Sequence, residues 1–237
     1  MEITKITKIT VIILAGGLGT RLKSVVSDRS KPMADINGLP FLHYIIKKLA
    51  FRGVDKIIFA VGDVSEDIFK YFRYSYLGVD LRYSIETKQL GTGGSAKLAI
   101  DHLNGYDDYV FVMNGDTYFN VNLRDMKSIQ KEKNADVVMA LTEMKDSDRY
   151  GRVVMHKDKR ITKFTEKGYF KKSLINGGLY LIRKDLFKDI KEDSFSIEEM
   201  FTNNVNQLKI YGYHSFNEFI DIGTPNDYKK FREKQNE

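Results

Sequence analysis

The 237-residue chain contains no cysteine at all. That excludes disulfides, thiolate zinc sites and a cysteine nucleophile. Prolines number only three, and no Ser/Gly-rich or low-complexity stretch marks a linker. No apolar run approaches the roughly 20 residues that a membrane span needs. The best candidate, Val11 to Ala15, runs straight into two glycines and carries no cleavage pattern of an export signal. A cytoplasmic protein is therefore expected. The net charge is +6, with a pI near 9.1, yet there is no dense basic tract, zinc-finger spacing or basic region. The lysines come in scattered pairs with acids close by, so no nucleic-acid partner and no membrane partner is expected. A modest positive excess suits anionic, phosphate-bearing substrates. His43, His102, His156 and His214 lack metal-ligand spacing, and no Gly-x-Ser-x-Gly elbow is present.

What is there reads as one α/β domain. Ile9 to Ala15, Lys56 to Val61 and Tyr109 to Met113 are apolar enough for strands buried on both faces. Val79 to Ile85, Ala135 to Thr142 and Leu179 to Ile182 add further strands. Helices are expected after Pro40 as far as Gly53, over Glu66 to Arg73 with Ser65 as cap, and over Ser95 to His102, Leu123 to Lys133 and Ser196 to Asn206. Gly91 to Gly94 reads as the turn into the third of these. Arg152 to His156 and Arg160 to Thr165 form a hairpin around Lys157-Asp158-Lys159. Strands alternating with helices predict a doubly wound, mostly parallel, Rossmann-like mixed sheet with helices on both faces. The expected domain is 1–237, with a nucleotide-binding half over about 9–142 and a second, substrate-binding half over about 143–237.

Leu14-Ala15-Gly16-Gly17-Leu18-Gly19-Thr20-Arg21-Leu22 leaves the first buried strand at its C-terminal end, where open α/β sheets bind ligands. Glycines let backbone N–H groups approach phosphate oxygens, and Arg21 offers a bidentate fork. Lys31 adds a second cation. A Walker loop would need Gly-Lys-Ser/Thr here, and a Rossmann fingerprint a third glycine at Leu22; neither is present. Asp116, in Asn114-Gly115-Asp116, and Asp221, in Asp221-Ile222-Gly223-Thr224, each follow an apolar run. Two carboxylates converging on one pocket would suit magnesium, which takes hard oxygen ligands and substrate phosphates. An N-cap for Asp116 and an Asx turn for Asp221 are the plainer readings.

Leu-Ala-Gly-Gly-Leu-Gly-Thr-Arg-Leu followed by Lys31-Pro32-Met33 resembles the signature of sugar-1-phosphate nucleotidyltransferases, and the likeness runs from Ile12 to about Tyr228. The resemblance implies that Leu14, Ala15, Gly16, Gly17, Gly19, Thr20 and Arg21 hold a nucleoside triphosphate. It implies that Asp116 and Asp221 hold Mg2+. Arg21, Lys31 and Lys167 would carry the catalytic charge. Glu86 and Gly91-Thr92-Gly93 resemble the base-binding segment; a carboxylate at Glu86 accepts from both N1–H and the 2-amino group of guanine. Glu166 and Lys167 resemble the family's sugar-binding pair, although Gly168 stands where many members have proline. Asn176 and Gly177 resemble a sugar-contacting turn, and a plain hairpin turn is the alternative. The partners so implied are a nucleoside triphosphate, with Glu86 favouring GTP, and a sugar 1-phosphate; a homodimer stays open. With few residues after Asp221, no C-terminal β-helix of the kind some relatives carry is expected.

A nucleotide-sugar-using glycosyltransferase would need an Asp-x-Asp pair, and Asp116 is followed by Thr117-Tyr118. Other triphosphates with a hexose 1-phosphate, and a non-catalytic nucleotide-sugar-binding protein, stay open. Charge-stabilising donors usually contribute on the order of 10²-fold or more to kcat. Arg21→Ala is expected to lower the kcat of pyrophosphate release by that order, and a loss under about threefold would remove Arg21 from this role.

Overall fold

The computed structural model describes residues 8–17, 30–62, 65–103 and 107–236. In chain order the elements are β1 (Ile9–Leu14), β2 (Asp35–Ile36), β3 (Leu39–Pro40), α1 (Phe41–Phe51), β4 (Val54–Val61), α2 (Ser65–Phe72), β5 (Ser75–Tyr76) and β6 (Val79–Ile85). Then come α3 (Gly91–Asp101), β7 (Tyr109–Asn114), β8 (Thr117–Phe119), α4 (Leu123–Lys133), β9 (Val137–Ser147), β10 (Gly151–Met155) and β11 (Ile161–Lys167). The chain continues through β12 (Phe170–Arg183), α5 (Ile197–Asn203), β13 (Ile210–His214), β14 (Phe219–Asp221) and α6 (Pro225–Lys234).

Ten strands form one mixed sheet in the order β11-β10-β12-β7-β1-β4-β6-β5, with β9 paired to β12 and β13 to β9. Its centre, β7-β1-β4-β6, is parallel, while β12 runs antiparallel to both β7 and β9. The sheet is wound on both faces, as the alternation of elements predicts. Val11 and Ile13 of β1 enter the core beneath α1, α2, α4 and α6; Ile12 enters the other, beneath α3 and α5. All three are fully buried, which explains why β1 is continuously apolar rather than alternating. From β1 the chain builds outward through β4 and β6, then returns to lay β7 on the other side of β1. The strand order therefore reverses between β1 and β7, where a crevice opens beyond the carboxyl ends. Leu14 pairs with Asn114 at that point, so both strands deliver their following loops to the same place.

Several boundaries differ from the sequence-based expectation. The helix expected from Ser95 begins at Gly91, and no side chain caps it. Instead Gly93 N–H donates to the Phe195 carbonyl at 2.9 Å, and Phe195 N–H donates to the Leu90 carbonyl at 3.0 Å. A backbone segment distant in sequence does the work of a cap, and it leaves no local signal. Asn176-Gly177-Gly178 is no hairpin turn. It is a bulge inside the long strand β12, where the register to β9 shifts between Asn176 and Tyr180 and Gly178 takes φ +69°. The strand expected over Leu179 to Ile182 is thus the end of a 14-residue one. α2 starts at Ser65 itself and stops at Phe72, before the left-handed Arg73, and α5 ends at Asn203. The short pair β8 and β14 and the helix α6 lie where no element was expected.

The close approach of α3 to the chain at residues 193–195 requires glycine. A Cβ on Gly94 would collide with the Asp193 carbonyl oxygen, and one on Gly93 with the Phe195 ring. Gly94→Ala is expected to lower stability by about 1–3 kcal/mol, the usual cost of overpacking. Urea unfolding measures this, and an unchanged midpoint would show that the contact yields freely.

Candidate active site

Two clefts open at the carboxyl ends of β1 and β7. The first, of about 490 Å³, is lined by Leu14, Ala15, Gly16 and Gly17 on one side and by Glu86, Gly91 and Thr92 on the other. Hydrogen bonds from Ala15 N to the Ala60 carbonyl (2.8 Å) and from Gly115 N to the Leu14 carbonyl (2.9 Å) fix its floor. Glu86 follows β6, and its carboxylate lies across Gly16: a Cβ there would sit 2.7 Å from Oε1. The Ser95 hydroxyl lies 2.6 Å from Glu86 Oε2 and 2.7 Å from the Gly91 carbonyl oxygen, and so ties the carboxylate to the start of α3. Gly17 has nothing within 4 Å of where a Cβ would be, so packing does not explain it. Gly19, Thr20 and Arg21 lie outside the described residues.

The second cleft, of about 660 Å³, is lined by Arg149, Tyr150, Lys167, Asn176, Gly177, Glu198 and Asp221. It shares Lys31, Asn114 and Asp116 with the first. Of the residues expected to contact sugar, Lys167, Asn176 and Gly177 thus come together, whereas Glu166 is exposed and is not among the lining residues. Asn176 is held by its own bulge, since its Oδ1 accepts from Gly178 N–H at 2.9 Å and its Nδ2 donates to the Tyr180 hydroxyl at 2.7 Å.

Asp116 and Asp221 meet because β8 and β14 pair. Thr117 stands opposite Asp221, and Ile222 N–H donates to the Asp116 carbonyl at 3.1 Å. Lys31 Nζ stands 3.3 Å from Asp116 Oδ2. Asp221 Oδ1 accepts from Gly223 N–H at 2.8 Å, so the Asx turn is real and coexists with the pairing. Its Oδ2 accepts from Arg149 Nη2 and from the Tyr150 hydroxyl, each at 3.1 Å. Arg149 also binds Asp227. Burial raises the Asp221 carboxyl above the ordinary carboxylate range; the Asp116 charge raises it further, and Arg149 only partly opposes them. No group of three or more His, Cys, Asp or Glu side chains forms a metal cage among the described residues. A half-buried carboxylate pair at a shared cleft nonetheless fits Mg2+, which binds through one or two carboxylates plus substrate phosphates.

Sequence reasoning missed Arg149, Tyr150, Glu198 and Ser95. The first three are brought to the cleft by long-range strand and helix packing, which leaves no periodic signal. Ser95 was read only as the start of a helix.

A nucleotidyl transferase family model matches residues 10–237. The chain is 42% identical over 221 residues to a D-glycero-alpha-D-manno-heptose 1-phosphate guanylyltransferase of Campylobacter jejuni, covering 93% of this chain and 97% of that protein. It is 44% identical to the protein of the same description from Aneurinibacillus thermoaerophilus, with 92% and 95% covered. The solved structure of HddC from Yersinia pseudotuberculosis complexed with GMP-PN superposes with a TM-score of 0.83 at 34% identity, covering 96% of this chain and 99% of that one.

A carboxyl whose folded pKa exceeds its unfolded value is held more tightly protonated by the folded chain. Stability is then lost as pH rises from the unfolded value through the folded one. Asp221→Asn cannot ionise. It is expected to melt higher than the wild type at neutral pH, with the gap closing as pH falls through the carboxylate range. A variant that melts lower at neutral pH would show that the Arg149 and Tyr150 bonds outweigh burial.

Proposed function

The chain belongs to the nucleotidyl transferase family, and from that premise we propose that it joins D-glycero-α-D-manno-heptose 1-phosphate to GTP. The products are GDP-heptose, a precursor for bacterial surface glycans, and pyrophosphate. The observation that carries this reading is the shared wall of the two clefts. A nucleotide in the first and a sugar phosphate in the second would meet at Lys31, Asn114 and Asp116. The first cleft is built from residues 14–116 and the second mostly from 149–224, which supports reading a nucleotide-binding and a sugar-binding half. The two relatives above 40% identity favour GTP and the heptose.

In this mechanism a sugar-phosphate oxygen attacks the α-phosphorus in line. The new P–O bond forms as the bond to the β-phosphate oxygen breaks, and the electron pair leaves with pyrophosphate. The nucleophile is already a phosphate dianion, so no side chain has to remove a proton. The residues position and neutralise charge. Gly16, Gly17 and Gly19 offer backbone N–H groups to the triphosphate. Thr20 and Arg21 hold its outer phosphates. Glu86, lying over Gly16 and tied to Ser95, accepts from guanine N1–H and the 2-amino group. Gly91 and Thr92, which line the first cleft at the start of α3, border the base, while Gly93 packs against the Phe195 ring behind them. Lys167 holds the sugar phosphate, and Asn176 and Gly177 meet sugar hydroxyls. Lys31, 3.3 Å from Asp116, stands where both substrates converge.

Asp116 and Asp221 would hold the divalent cation, Mg2+ in this reading. When bound, it supplies positive charge against the departing pyrophosphate. No helix of the described residues is long and apolar enough to cross a membrane, and the reading places the enzyme in the cytoplasm with its GTP.

Pyrophosphate release with magnesium is the test. GTP, ATP, CTP, UTP and dTTP would each be offered with heptose-, mannose- and glucose-1-phosphate. Turnover confined to GTP with the heptose is expected. Turnover with another pair would discard the substrate and keep the reaction class; none with any pair would overturn the reading.

A further inference from the structure

The clefts are joined by more than a shared wall. Glu198, in the first turn of α5, lines the second cleft, and both its carboxylate oxygens are taken. Oε2 accepts from the Thr92 hydroxyl at 2.9 Å and from the Ser196 hydroxyl at 2.9 Å. Oε1 accepts from the Tyr180 hydroxyl at 3.2 Å. Thr92 belongs to the first cleft and is itself fixed, because its Oγ1 accepts from Ile197 N–H at 2.9 Å. Tyr180 is completely buried and lines neither cleft. Its hydroxyl accepts from Asn176 Nδ2, and Asn176 Oδ1 holds Gly178 N–H in the bulge of β12. Every proton in this chain has one donor and one acceptor. The run from Thr92 through Glu198, Tyr180 and Asn176 to Gly178 is therefore continuous.

We infer that Glu198 is a positioning residue that couples the two clefts, setting the sugar-side bulge according to how the nucleotide side holds Thr92. The chemistry follows from the bonds. A carboxylate shared by three hydroxyls holds all of them in one orientation, and moving one donor shifts the oxygen that another depends on. A nucleotide that seats Thr92 thereby fixes Tyr180 and Asn176, and so the position of Gly177 and Gly178 at the sugar. Coupling between sites is reciprocal, so the sugar phosphate also strengthens the nucleotide site. In its kinetic part the inference rests on the reaction proposed above; in its structural part it does not.

The two parts have separate tests. Thr92→Val and Tyr180→Phe each remove one hydroxyl with little change of shape, and among the described residues Glu198 is the side chain that hydrogen-bonds both. Melting temperatures of the two single variants and the double variant are measured without substrate, in the wild-type and Glu198→Gln backgrounds. The expected result is a non-additive loss in the wild-type background that becomes additive once Glu198 is replaced. Additive losses in both backgrounds would overturn the coupling, whatever the substrate. The kinetic test follows KM and kcat of the single variants. Thr92 lines only the nucleotide cleft, yet Thr92→Val is expected to raise the KM for the sugar 1-phosphate roughly fivefold, the worth of one hydrogen bond. In the Tyr180→Phe background that increase should vanish. A Thr92→Val effect confined to the KM for GTP, with the sugar KM changed less than about twofold, would also overturn it. No turnover by the wild type alongside a non-additive melting cycle would sink the substrate reading and support the network.

Discussion

Two short strands, Thr117–Phe119 and Phe219–Asp221, lie far apart in the chain and pair outside the main sheet. The register of that pairing sets Thr117 against Asp221, so Asp116 and Asp221 arrive side by side at the mouth of the cleft. Asp116 lines both clefts and Asp221 the second. β7 delivers Asp116 at the point where the sheet reverses its strand order. Thr224 then caps α6 by accepting from Asp227 N–H, which anchors the segment carrying Asp221. Burial is the main reason the Asp221 carboxyl is raised, and the neighbouring Asp116 charge raises it further. Stability is given up at a place where a bound cation and phosphates would recover it.

The cations show how that strain is held. Lys31 stands beside Asp116, and Arg149 bridges Asp221 and Asp227. Both Lys31 and Arg149 line the second cleft. The positive balance of the whole chain therefore matters less than the placement of these few side chains.

Much of this was legible in the sequence. Continuous apolar runs mark β1, β4 and β7 because those strands are buried on both faces, and the glycine-rich segment after β1 marks the cleft. Asp116 and Asp221 were both identifiable by what surrounds them. The illegible parts share one cause, contacts between distant segments. The start of α3 is set by the backbone at Phe195, so Gly91 to Gly94 looked like a turn. Those glycines make room for residues 193–195. Asn176-Gly177-Gly178 looked like a hairpin because a bulge within a strand uses the same residues as a turn. Glu198 and Arg149 carry no local mark, and Glu166 resembles a sugar ligand yet stands outside the cleft.

The central claim is that nucleotide and sugar phosphate meet at the Asp116–Asp221 pair. A crystal structure with GDP-heptose and magnesium tests it most directly. The account predicts guanine beside Glu86 over Gly16, the heptose beside Asn176 and Gly177, and the diphosphate between them with a cation on Asp116 and Asp221. A diphosphate bound away from both aspartates, or a base lodged in the cleft of Arg149 and Lys167, would contradict it.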